Sequence, residues 1–197
     1  MKPDELLDRF LSVLAEDILP LTRQGVSRGN KIFGAAVVRK SNLELVVAGT
    51  NEEVINPLFH GEVSCLNGFW SMPARDRPDP SECLFLSTHE PCSMCLSAIT
   101  WSGFDNFYYF FSYEDSRDEF AIPHDLKILG EVFGCTDGNY AKSNAYWSGH
   151  HITDMIKAVG DPVRSRLQER TAALKSAYAG LSDSYQRLKD DQPIPLK

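Results

Sequence analysis

At 197 residues and 43% hydrophobic content, the chain has enough apolar side chains for one sizeable core with room for an extension. Twenty Lys and Arg against 27 Asp and Glu give a formal charge of −7, which argues against a broad phosphate-binding surface while leaving space for a local basic groove. No apolar run reaches the length of a membrane span, and residues 1–10 are acidic and amphipathic where a secretion signal needs an apolar stretch. Five cysteines, Cys65, Cys83, Cys92, Cys95 and Cys135, are too sparse and odd a set for a disulfide framework. The expectation is a soluble, cytoplasmic protein without membrane contact, its cysteines reduced thiols or metal ligands.

In chain order, Leu6, Leu7, Phe10, Leu11, Leu14 and Ile18 recur at helical spacing, which predicts a helix over 4–19 with Asp4 as cap and Pro20 as stop. Residues 31–39 and 43–48 read as two strands of a hairpin across a Lys40-Ser41-Asn42 turn. After a loop over 49–57, Val63, Leu66 and Trp70 lie on one face of a helix, followed by a Pro-rich loop over 72–80. Residues 83–87 form a short apolar strand. Residues 91–101 form a buried helix with Pro91 at its first position and Gly103 at its end, and 106–112 an aromatic strand. Strand, helix, strand in that order favours parallel pairing and α/β layers. Residues 134–149 read as irregular chain, and 162–188 as a helix whose Leu167, Leu174, Tyr178, Leu181, Tyr185 and Leu188 dock on the same domain or on a second copy. Residues 190–197 are expected to be loose. The division is thus a domain over 1–160 and a C-terminal helical extension over 161–197.

Two short patterns carry chemistry: His60-Gly61-Glu62 and, further on, Pro91-Cys92-Ser93-Met94-Cys95. Together, H-x-E followed by P-C-x-x-C is the zinc deaminase signature. Cys92 and Cys95 at a helix start put both sulfurs within reach of one tetrahedral ion, and the positive helix end favours thiolates. A histidine from a second helix start makes three protein ligands, His60, Cys92 and Cys95, one short of a closed structural shell. The open position admits water, whose pKa zinc lowers to about 7, and Glu62 is the acid placed to take its proton. Glu62 then serves as base and acid in turn, protonating a ring nitrogen and later the departing ammonia. A lone C-x-x-C could equally be half of a structural zinc site or a redox pair; both motifs in this order, each at a helix start, favour catalytic Zn2+.

At these residues the chain resembles the cytidine deaminase-like superfamily, and within it the branch of fungal cytosine deaminases, bacterial guanine deaminases and tRNA adenosine deaminases. The resemblance spans 33–113. It rests on Phe33-Gly34-Ala35, Gly49-Thr50-Asn51, Asn56-Pro57-Leu58-Phe59-His60-Gly61-Glu62 and Thr88-His89-Glu90-Pro91-Cys92-Ser93-Met94-Cys95. It implies a three-layer α/β/α fold with a five-stranded mixed central sheet, and an assembly such as a homodimer. It also implies base contacts from Asn51 and from the Gly61 backbone N–H. In the acidic segment 113–119, where guanine deaminases place a substrate-selecting carboxylate, Asp115 is the residue chosen. Glu90 reads as loop charge or cap support, and Cys65, Cys83 and Cys135 as buried small hydrophobes. Tyr140, Tyr146, Trp147, His150 and His151 could stack on a base, close a lid or pack the core.

The substrate implied is a small free nucleobase, guanine- or cytosine-like, or a related aminoheterocycle. A tRNA adenosine deaminase is the alternative. It is disfavoured because Arg164, Arg166 and Arg170, its best phosphate contacts, stand beside Asp161 and Glu169. A non-catalytic, zinc-stabilised binding protein is the alternative of another class, and Glu62 argues against it.

Overall fold

A computed structural model describes residues 2–197. Five strands, β1 (Gly34–Arg39), β2 (Leu45–Thr50), β3 (Cys83–His89), β4 (Asn106–Phe111) and β5 (Ser148–His151), form one mixed sheet in the order β2-β1-β3-β4-β5. β1 is antiparallel to both neighbours, while β3, β4 and β5 run parallel. The hairpin and the β3–β4 crossover are as the sequence predicts. Alternation along β1 sends Ala35 and Val37 into one apolar cluster and Ala36 and Val38 into another, so the sheet is buried on both faces.

On one face lie α3 (Gly61–Ser71) and α4 (Ser93–Trp101), packed through Cys65, Leu66, Phe69, Leu96 and Ile99 against Phe85, Phe107 and Tyr109. The opposite face carries α1 (Pro3–Ser12), α2 (Leu19–Ser27), α7 (Ile152–Ala158) and α8 (Val163–Leu188). Leu167, Leu174, Tyr178 and Tyr185 of α8 join Leu7, Phe10, Leu14 and Ile18 in one core, so the stripe docks on its own chain. Two short helices, α5 (Tyr113–Asp118) and α6 (His124–Phe133), follow β4.

Four sequence expectations fail for physical reasons. Pro20 does not stop the first helix: a π-helical turn over Val13–Ile18 leads straight into α2, with Pro20 in its first turn, and the wider turn absorbs the missing N–H. Asp4 is not the cap, since Lys2 occupies that position with Pro3 just inside. The irregular stretch runs into β5, a Ser-Gly-His-His strand without β-branched residues; its backbone pairs with β4, and Gly149 makes room for the Phe107 ring. Nor is the tail loose: Ile194 is 2% exposed, and the Lys197 backbone oxygen lies 2.8 Å from His124 Nε2.

Candidate active site

His60 and Cys92 occupy the same kind of position, each the N-cap of a helix, α3 and α4 respectively, with extended backbone. A cap residue stands outside the helical screw, so its side chain turns back across the helix end. Cys95, three residues after the cap, has the offset at which a third helical residue reaches back to its cap. Pro91 therefore lies before the helix and not inside it. The start of α3 is brought close against β1 by a pair of glycines: a Cβ on Gly61 would stand 2.6 Å from Gly34 Cα. Any larger residue would push α3 off β1.

The three donor atoms form a small triangle. Cys92 Sγ is 3.5 Å from both Cys95 Sγ and His60 Nδ1, and Cys95 Sγ is 3.7 Å from His60 Nδ1. A tetrahedral zinc with bonds of about 2.3 Å to sulfur and about 2.0 Å to nitrogen sets edges of about 3.8 Å between sulfurs and about 3.5 Å between sulfur and nitrogen. The donor set and its spacing fit that ion, and among the described residues it is the cluster of metal-ligating side chains that does so.

Without metal these groups strain one another electrostatically. The Cys95 thiol, hydrogen-bonded to Cys92, holds the Cys92 thiol well below its ordinary range, with His60 adding to the effect. Burial pushes Cys95 well above it. Burial by itself would lower His60, but the Cys92 sulfur, Glu53 and Glu62 outweigh it and raise the imidazole to about 9. A bound divalent cation reverses this balance by favouring thiolates and neutral imidazole.

Glu62, in the first turn of α3, is 4% exposed. Its Oε1 accepts from Ser87 Oγ at 2.7 Å, and its Oε2 lies 3.3 Å from Cys95 Sγ. Burial raises its pKa above the ordinary carboxylate value, and the Cys92 thiolate raises it further. A carboxyl beside the metal position with a lifted pKa holds a proton more readily than an ordinary carboxylate, which suits a group that must take and return one.

Against the triangle lies a cavity of about 470 Å³. Phe33, Leu58, Met94, Ile122, Ile128 and Ile194 give it apolar walls; Lys31, Glu53, His124 and Asp125 are polar groups on them. Asp125, half-buried in the first turn of α6, has its carboxyl raised to about 8 by burial, with the Cys92 thiolate adding to the effect.

Residues 13–111, half of the chain, match the cytidine and deoxycytidylate deaminase zinc-binding region. The chain is a deaminase of the cytidine deaminase family. A probable cytosine deaminase of Schizosaccharomyces pombe is 27% identical over 167 residues, covering 76% of this chain and 99% of that protein. Among solved structures, the guanine deaminase of Nitrosomonas europaea superposes with a TM-score of 0.52 at 20% identity, over 90% of this chain and 84% of its own. A protein solved in complex with 2,6-diaminopurine gives 0.53 at 19%, over 90% and 82%. These superpositions show the same fold. The deaminase is a zinc-dependent hydrolase, and His60, Cys92 and Cys95 are placed to bind its metal.

The other sequence-predicted residues of the deaminase fall differently. Asn51 is fully buried behind the cavity; its Oδ1 accepts from Gly61 N and its Nδ2 donates to Glu53 Oε2 at 2.6 Å. The Gly61 N–H is therefore engaged within the protein, correcting the expectation that it faces a base. Asp115 is not in the cavity: it closes a capping box with Ser112 at the start of α5 and lines a separate depression with Lys175. Asp125 takes the place on the wall, and sequence reasoning missed it because an acid in a first helical turn looks like ordinary dipole compensation. Glu90 is 2% exposed and accepts from Tyr140 Oη at 2.7 Å, with Lys142 Nζ at 2.9 Å, so it ties the 134–149 segment to the metal loop. Tyr140, Tyr146, Trp147, His150 and His151 do not line the cavity; Trp147 packs on Phe107, and the two histidines stack on Tyr108 and Tyr109. Cys65 and Cys83 are buried, but Cys135 is half-exposed.

Proposed function

We propose that this deaminase acts on a small free nucleobase, guanine- or cytosine-like, or a related amino-substituted heterocycle, replacing its exocyclic amine with a carbonyl and releasing ammonia. The observation that carries the reading is a cavity of about 470 Å³ with apolar walls and one unpaired carboxylate, Asp125, opening onto His60 and Cys92. A flat heterocycle stacks on such walls, and a carboxylate reads its N–H edge. The relatives lend support: one is a probable cytosine deaminase, one a guanine deaminase, and one was solved with 2,6-diaminopurine.

Zinc, held by His60, Cys92 and Cys95, supplies a water activated at neutral pH. Glu62 would take one proton from the attacking water and pass it to the ring nitrogen next to the reacting carbon, then take the second from the hydroxyl added to that carbon and deliver it to the amine that leaves as ammonia. Ser87 holds Glu62 Oε1 in place for both transfers. Asn51, fully buried and absent from the cavity wall, sets the Gly61 backbone at the helix start in place of the base contact expected of it. Asp125 replaces Asp115 as the carboxylate that selects the substrate edge.

Nucleic acid is disfavoured as substrate because Arg164 pairs with Asp161, and Arg166 and Arg170 with Asp8. Three arginines facing two aspartates leave one positive charge in excess, too little for a phosphate-binding surface. The reading includes a homodimer and a cytoplasmic location; no helix among the described residues is long and apolar enough to cross a membrane. Ammonia release against cytosine, guanine, adenine, isocytosine and triazines, in parent and Glu62→Gln protein, tests the proposal. Turnover of a free base that disappears in the variant supports it. Turnover confined to a tRNA anticodon stem-loop would replace it with the editing reading.

A further inference from the structure

Lys31 and Glu53 form a buried ion pair in the wall of the cavity, with Nζ 2.7 Å from Oε1 and side chains 5% and 2% exposed. Burying both charges returns little stability unless further polar partners satisfy them, so such a pair needs another reason to be there. The partners of Glu53 supply one. Its Oε2 accepts from Asn51 Nδ2 at 2.6 Å, and its Oε1 lies 3.6 Å from His60 Nε2. His60 turns its other nitrogen, Nδ1, toward Cys92 and Cys95. Among the described residues, Glu53 is the carboxylate within ion-pair range of that outer nitrogen.

Metal-binding imidazoles generally give their outer N–H to a carboxylate or carbonyl, which fixes the tautomer and the ring plane and raises the basicity of the nitrogen on the metal. We propose that Glu53, held in place by Lys31, is the positioning residue that makes His60 an Nδ1 ligand and locks the start of α3. The same carboxylate acts twice on that start. One oxygen faces the His60 ring, and the other orients the Asn51 amide, whose Oδ1 takes the backbone N–H of Gly61, the next residue. Ring and backbone are thus fixed from a single buried anion. The inference rests on the zinc site of the family and is independent of which base is the substrate.

Zinc affinity, measured by competition with a chromogenic chelator, is the readout for Glu53→Gln and for the double variant Lys31→Met with Glu53→Leu. The double variant exchanges the pair for apolar groups of similar bulk, a change that often leaves stability intact. Both are expected to hold zinc about 10- to 100-fold more weakly than the parent, while the metal-free double variant stays folded with a melting temperature lowered by the loss of the Asn51 Nδ2 partner. In the zinc-loaded parent, histidine 15N spectra should show His60 bound through Nδ1 and protonated at Nε2. Zinc affinity within twofold of the parent in a folded variant overturns the proposal, and so does a parent spectrum in which Nε2 carries the metal, whatever the variants do.

Discussion

Ser87 on β3 donates its hydroxyl to Glu62 Oε1 across 2.7 Å, leaving Oε2 to face the Cys95 sulfur at 3.3 Å. A strand thereby fixes the rotation of a carboxylate carried by a helix, and the free oxygen is the one turned to the metal position. Glu62→Gln keeps the shape and removes the proton acceptor. Turnover is expected to fall by about 10²- to 10⁴-fold with zinc content unchanged, as metal analysis beside an ammonia assay will report.

The Ser87 hydroxyl also pulls the Glu62 pKa down against burial, which pushes it up. Ser87→Ala removes the lowering contribution. Glu62 in that variant holds its proton to higher pH, so the acid limb of the kcat/KM profile moves upward relative to the parent. A limb that stays in place or moves down would show that another group sets it.

Asp125 has a folded pKa of about 8, above its ordinary value of 3.8. In the metal-free protein its contribution to stability is fully present below about 3.8 and lost as pH rises through about 8. Asp125→Asn removes that loss, so the metal-free variant should melt above the metal-free parent at pH 9, and the advantage should vanish near pH 3.5. Its turnover of a base read through an N–H edge should fall. Asp115→Ala, by contrast, removes the N3 half of the capping box while Ser112 remains as cap, so stability falls slightly and turnover is unchanged.

The metal site was legible in sequence because its parts are local. A cap and the third residue after it are neighbours whatever the rest of the chain does, and a Cys-x-x-Cys or His-Gly-Glu pattern states that geometry directly. The hairpin and the crossover were equally legible, since β1, β2 and β4 are rich in branched and aromatic residues. What escaped depends on distant partners. Ser148-Gly149-His150-His151 is a strand because β4 offers its edge. Ile194 is buried because the cavity wall receives it, and Asp125 lines the cavity because α6 packs near α4. Lys31 and Glu53 lie 22 residues apart, and the sequence carries no sign of their pairing.

Gly61 has a positional requirement that a sequence reader would assign to an easy turn. An added Cβ would come 2.6 Å from Gly34 Cα and 2.7 Å from Gly34 N, both backbone atoms that cannot swing away. Gly61→Ala should cost about 1–3 kcal/mol by denaturant unfolding. Zinc affinity should weaken with it, because the displaced helix carries His60 and Glu62. A variant as stable and as zinc-competent as the parent would mean that α3 has slack against β1.

The most direct test is the metal itself, counted in the protein purified without added zinc and again after dialysis against a chelator. One zinc per chain is expected, lost together with deaminase activity on chelation and regained on adding zinc to the parent but not to Cys92→Ser; zinc at 100 times its dissociation constant should restore about 2.7 kcal/mol of stability. A folded protein that deaminates its substrate with no stoichiometric metal, or whose activity ignores the chelator, would contradict the account.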